Sequence, residues 1–136
     1  MKTKIILLAL LIFSISCEKL EYDLETRLVL KGQIVNEDNQ PLNQIDVRVY
    51  GRRTAYGLQL RGNPPCLACD TDLISVGYSN QNGDFTLIFP KADNANFYDI
   101  YVNTLTSNGY RAFHTTVANA DFANFEKNIQ IILEQN

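Results

Sequence analysis

The chain is short of the residues on which much enzymatic chemistry depends. It has one histidine, His114, among 136 residues. A Ser/His/Asp triad would have to be centred there, and no Gly-x-Ser-x-Gly nucleophile elbow accompanies it. His114 therefore reads as an ordinary strand residue. Positive charge is also scarce, with 12 Lys and Arg against 15 Asp and Glu, net −3. Without a basic stripe, nucleic acid is not an expected partner. No long helical periodicity appears. The one long apolar run, Ile5 to Phe13, has nine residues. That is too short to cross ~30 Å of hydrocarbon as a helix.

What is present alternates with a period of two, the signature of half-buried strands. Leu28, Leu30, Gly32 and Ile34 alternate with Val29, Lys31, Gln33 and Val35. Turn residues Asn36 to Pro41 follow. Ile45, Val47 and Val49 alternate with Asp46, Arg48 and Tyr50. The stretch Leu73 to Pro90 reads as strand, tight turn and strand, a hairpin with Phe85, Leu87 and Phe89 on one face. Its Asn82-Gly83 pair tolerates the positive φ of a tight turn, and Asn80 can fold back onto the turn's own amides. Asn80, Asn82 and Asp84 also mimic the start of a calcium loop. Two of the three are neutral, so the turn is the better reading and no metal is expected. Phe97 to Thr104 and Tyr110 to Val117 alternate again, separated by Ser107-Asn108-Gly109. Ala118 to Asn124 reads as a short irregular or one-turn helical link. Ile129, Ile131 and Leu133 close the series. Seven strands with Gly- and Asn-rich turns predict an all-β sandwich.

The start of the chain has a different character. Met1 to Lys4 is basic, Ile5 to Phe13 is apolar, and Ser14-Ile15-Ser16-Cys17 follows. These four residues resemble the bacterial lipoprotein box. The resemblance implies cleavage before Cys17, diacylglycerol on its sulfur and N-acylation, palmitate being typical. An ordinary secretory leader or an anchoring helix are the alternatives. Several acyl chains at about 0.8 kcal/mol per buried methylene make a stable tether. Removing residues 1–16 takes away Lys2 and Lys4, so ten basic residues face fifteen acidic ones, net −5. The 120 residues that remain suffice for one domain. Residues 17–26 then read as the acylated cysteine and an acidic tether, and 27–135 as the sandwich. Acidic residues directly after such a cysteine resemble a surface-display signal in some Gram-negative groups. The expected location is the outer membrane, on either its surface or its periplasmic face.

Several motifs together resemble a carboxypeptidase regulatory-like domain. They are Leu30-Lys31-Gly32-Gln33-Ile34-Val35, Pro41-Leu42, Ile45-Asp46-Val47, Gly77-Tyr78-Ser79, Asn82-Gly83-Asp84-Phe85 and Gly109-Tyr110. The resemblance implies a seven-stranded, transthyretin-like (prealbumin-like) Greek-key β-sandwich. It gives Gly32, Pro41, Asn82, Gly83, Phe85 and Gly109 turn or packing roles. Such domains are appended to outer-membrane nutrient receptors, so a receptor or a glycan is the expected partner, with no cofactor. Transthyretin-like folds also include a purine-derived hydrolase and ring-cleaving dioxygenases. The hydrolase would need a Tyr-Arg-Gly-Ser tail, whereas this chain ends Leu133-Glu134-Gln135-Asn136. The dioxygenases hold iron with two His and two Tyr, which one His cannot supply. The expectation is a non-catalytic binding module. A purely structural envelope lipoprotein is the alternative, and a small hydrolase a weaker one.

Residues 51–72 depart from the family's short loop. Loops beyond ~12–15 residues are usually functional or disordered. Arg52, Arg53, Tyr56 and Arg61 are the candidate partner-binding residues here, against the plainer reading of a structural excursion. Cys66 and Cys69 form a Cys-x-x-Cys pair. A disulfide suits an oxidising envelope. A redox pair would want a βαβ context, and zinc would want four ligands. Finally, Lys31 and Asn128 lie on the first and last strands. Pilin-type sandwiches close a Lys–Asn isopeptide bond between such positions beside a buried carboxylate. Lys31 falls on the face opposite Leu30, which argues against it.

Overall fold

The computed structural model describes residues 20–52, 71–105 and 108–136, without the side chain of Thr71. Among the described residues seven strands run in order: β1 Tyr22–Asn36, β2 Asp46–Arg52, β3 Thr71–Tyr78, β4 Asp84–Ala92, β5 Phe97–Val102, β6 Phe113–Ala118 and β7 Glu126–Leu133. One 3-10 turn, Asn119–Asp121, links β6 to β7. The strands form two sheets, ordered β4-β1-β7 and β3-β2-β5-β6. All neighbours are antiparallel except β1 and β7, which run parallel. This is the expected seven-stranded sandwich.

The core is what the period-two pattern requires. Leu28, Leu30 and Ile34 of β1 meet Val47 and Val49 of β2, Phe85, Leu87 and Phe89 of β4, Tyr98, Ile100 and Val102 of β5, and Ile131 and Leu133 of β7. None of these is more than 4% exposed. Phe89, Tyr98 and Phe122 pack edge-on or tilted, with centroids 5.4–6.1 Å apart, an arrangement suited to the ring quadrupoles.

Three local features differ from the sequence reading. First, β3 and β4 are not a hairpin. The turn is as expected: Gly83 (φ 75°) donates to the Asn80 carbonyl, and Asn80 Oδ1 accepts from the amides of Asn82 and Asp84 at 2.8 and 3.0 Å. The strands it joins belong to different sheets. Ser79 keeps β3 on β2: its amide donates to the Ile45 carbonyl, while its Oγ accepts from Ile45 N and donates to the Leu42 carbonyl. The Gly83 carbonyl accepts from Ile34 N, which places β4 on β1. The turn is thus a corner between layers.

Second, β1 begins earlier than the alternation suggests. Tyr22 pairs with Ala92, and Leu20 is buried in the core. Residues 20–26, read as tether, are part of the folded unit. The period-two signal is lost there because residues 24–26 bulge between the Asp23 and Arg27 pairings. Asp23 Oδ1 accepts from the amides of Glu25 and Thr26. A hydrogen bond with the Thr26 side chain, followed by these two amide bonds, holds the Asp23 carboxyl below its ordinary range.

Third, β6 pairs only from Phe113. Tyr110 and Arg111 instead bridge to Gln135 and Glu134 beside the other sheet.

Candidate functional site

The outer face of the four-stranded sheet is the most elaborated surface among the described residues. Alternation sends Asp46, Arg48, Tyr50 and Arg52 of β2 outward, with Asp99 and Tyr101 of β5 and His114 and Thr116 of β6. Register brings them into rows. Val76, Arg48, Tyr101 and His114 lie side by side across four strands, and Leu73, Tyr50, Asp99 and Thr116 form the next row.

Two of the outward positions in this patch are carboxylates inside strands, where Asp is disfavoured. Both are covered. Asp99 is 1% exposed. Arg52 Nε donates to Asp99 Oδ2 at 2.7 Å and Nη2 to Oδ1 at 3.1 Å, a bidentate pair. Thr116 Oγ1 donates to Asp99 Oδ1 at 2.7 Å, and His114 Nε2 lies 3.8 Å from the same oxygen. The Arg52 guanidinium also sits 5.3 Å from the Phe97 ring centroid. Asp46 accepts from Thr104 Oγ1 at 2.7 Å and from the Leu105 amide at 3.3 Å. Arg48 Nε is 3.3 Å from Asp46 Oδ2 but lacks hydrogen-bond geometry.

Aromatic residues lie beside these charges in the same rows. Tyr101 stacks on His114 with centroids 4.4 Å apart, and Tyr50 meets Tyr101 edge-on at 5.4 Å. Val76 and Tyr78 on the edge strand β3 are 44% and 60% exposed. The face combines aromatic and apolar side chains with ion pairs beside them in the same sheet. It can stack planar or CH-rich groups and hydrogen-bond to hydroxyls. Among the described residues there is no cluster of three His, Cys, Asp or Glu able to hold a metal ion.

The predicted site residues are distributed unevenly. Cys17, Cys66, Cys69, Arg53, Tyr56 and Arg61 lie outside the described residues. Arg52 is described, and its guanidinium is buried on Asp99 instead of standing at a ligand-facing lip. Outward alternation puts it on the face, but the Asp99 partner that draws it down is 47 residues away in sequence. A side chain at Gly32 would meet the Phe85 ring at 2.7 Å and the Ile129 backbone. Pro41 bridges to Val35, and Gly109 has φ 86°. Sequence reasoning missed Asp46 and Asp99. Their one signal was an acidic residue inside an otherwise β-branched and aromatic run.

Lys31 and Asn128 are register partners across β1 and β7. Lys31 Nζ binds Glu126 Oε2 at 2.9 Å, and Asn128 Nδ2 donates to Glu126 Oε1 at 3.3 Å. The hydrogen bond from Lys31 holds the Glu126 carboxyl below its ordinary range. The three groups are on the solvent side, with the Lys31 side chain 45% exposed. Water there competes for an ammonium and an ionised carboxylate, so the buried environment that amide formation needs is missing.

No family model and no curated protein matches the chain in sequence. Solved structures match it in fold. A 3-chlorocatechol 1,2-dioxygenase from Rhodococcus opacus 1CP aligns over 87% of this chain with a TM-score of 0.52 and 10% identity. The C-terminal domain of the shaft pilin spaA from Lactobacillus rhamnosus GG aligns over 82% of this chain and 99% of its own, with a TM-score of 0.51 and 15% identity. The chain spans 64% of that dioxygenase and 49% of a longer spaA structure. At these identities the likeness is one of fold, and function has to be argued from the site.

Proposed function

We propose that the protein is a lipid-anchored, non-catalytic interaction module of the cell envelope, tethered to the outer membrane through Cys17. Its partner is an outer-membrane protein or a glycan, and it belongs to the carboxypeptidase regulatory-like domains. The carrying observation is the cluster of Tyr50, Tyr101 and His114 beside the buried Arg52–Asp99 pair. The edge-on and stacked contacts restrain the three rings against one another, and a pre-organised aromatic patch binds at low entropic cost. The basic leader, short apolar run and Ser-Ile-Ser-Cys box support the anchor. The motifs supporting the family are the ones used at the Ser79–Gly83 corner and at Gly32.

The test is purification of the lipidated protein from detergent-solubilised envelope beside a Tyr50→Ala/Tyr101→Ala variant and an unrelated lipidated control. The module reading expects one envelope component to be enriched by the native chain and lost with the variant at unchanged circular dichroism. Equal recovery from all three proteins supports the purely structural lipoprotein instead.

A further inference from the structure

The distance between the anchor and the fold constrains how the domain stands on the membrane. Only Glu18 and Lys19 separate Cys17 from Leu20. Leu20 is 6% exposed and packs where a side chain on Gly51 would touch it. The following residue is also fixed: Glu21 N donates to Asn94 Oδ1 at 2.9 Å, and the Glu21 carbonyl accepts from Asp93 N. An extended chain covers about 3.3–3.6 Å per residue, so the acylated sulfur would sit within roughly 11 Å of this end of the sandwich.

That end is built from the start of β1, the finish of β4 and the start of β7 in one sheet, and from the finish of β2 and the start of β3 in the other, where Gly51 lies beside Leu20 and Asp72 accepts from Tyr22 OH. Three of the eight exposed large hydrophobics of the described residues stand toward it: Leu24, Phe125 and, at the start of β3, Leu73. Leu24, 75% exposed, is carried on the 24–26 bulge that Asp23 braces. Phe125, 56% exposed, is held outward in a turn whose carbonyl accepts from Val29 N at 2.8 Å. Glu21, Glu25, Asp93 and Arg27 are exposed around them, three acidic side chains against one basic. The surface is thus not a basic patch for anionic lipid. Its attraction to a bilayer is apolar and shallow, and the acyl chains supply the affinity. Tyr78 and Leu105 lie toward the opposite end, where β2 starts: Tyr78 pairs with Asp46, and the Leu105 amide donates to Asp46.

We propose that the β1-start end of the sandwich lies against the bilayer, with Leu24 and Phe125 seated among the lipid headgroups. The inference rests on acylation of Cys17, proposed above. The domain then stands upright on its anchor, and the Tyr78 end of the aromatic face is presented away from the membrane.

The chain contains no tryptophan, so one introduced tryptophan reports its own surroundings. Leu24→Trp, Phe125→Trp and Tyr78→Trp are each made in the full lipoprotein, and intact mass shows whether Cys17 is acylated. The proteins are reconstituted into phosphatidylcholine vesicles with and without brominated acyl chains. The expected result is a blue-shifted emission that loses most of its intensity in brominated vesicles for Leu24→Trp and Phe125→Trp, and neither change for Tyr78→Trp. An acylated protein in which positions 24 and 125 escape quenching overturns the orientation alone. Quenching at all three positions also overturns it, because the domain would then lie on its side. A mass showing unmodified Cys17 overturns the anchor and this inference together.

Discussion

The outer faces of the two sheets carry similar residue types and treat them differently. On the three-stranded sheet, Lys31 and Glu126 form an ion pair with side chains 45% and 39% exposed. On the four-stranded sheet, Arg52 and Asp99 form one with side chains 5% and 1% exposed. Both pairs are outward by alternation. The first is screened by water and holds little, since exposed pairs gain little beyond the entropy of fixing two long side chains. The second is roofed by neighbouring side chains. Its carboxylate is bonded by Arg52 and Thr116, with His114 3.8 Å away. A charge that has lost water depends on its partner. A face pointing away from the core is therefore not the same as a face pointing into solvent.

The largest expected effect comes from separating the buried pair. Asp99→Ala removes the buried carboxylate that Arg52 and Thr116 both bond and should cost about 3–5 kcal/mol. Urea unfolding measures this, and a loss too small to resolve would mean that Arg52 finds water or another acceptor. Next comes the wall of the three-stranded sheet. Gly32→Ala puts a methyl group against the Phe85 ring and the Ile129 backbone, and overpacking of this kind costs roughly 1–3 kcal/mol. A midpoint equal to that of the native chain would show that Phe85 can swing aside. A smaller effect is expected in alkali. Tyr22 OH donates to Asp72 Oδ2 at 3.2 Å, and burial, followed by the Asp72 charge, pushes the phenol up to about 12. A raised folded-state value means that this contribution is whole below the ordinary phenol range and is lost as pH climbs toward 12. Tyr22→Phe should flatten that part of the stability profile. Tyr98, also raised by burial, leaves a residual slope. If the two profiles coincide between pH 10 and 12, the Tyr22 linkage is wrong. Smallest of all, Lys31→Ala should leave the unfolding midpoint unchanged. A clear loss there would erase the contrast between the two faces.

Much of the fold was legible in the chain. Leu28, Leu30 and Ile34, then Val47 and Val49, then Phe85, Leu87 and Phe89, are inward by simple alternation, and all are buried. Asn82-Gly83 was legible as a turn because few other dipeptides accept that backbone. Less of the candidate site was visible. Alternation set Arg48 and Tyr50 on the face opposite Val47 and Val49, but it did not say on which face Tyr101 and His114 fall or which strands lie side by side. The Tyr101–His114 stack and the Arg52–Asp99 pair depend on β5 lying between β2 and β6. The start of β1 was hidden for another reason: the bulge at 24–26 shifts the phase of the pattern.

The sequence by itself determined the strand content, the inward set and the turn positions, because these follow from the geometry of a single pleated strand and a single tight turn. Tertiary structure alone decided that β3 and β4 part into separate layers, that Leu20 belongs to the core, and that Asp99 is buried beneath an outward face. Each of those outcomes depends on hydrogen bonds or packing between residues far apart in the chain. Local patterning cannot encode such contacts, because the free energy that settles them comes from the partner across the sandwich or across the sheet.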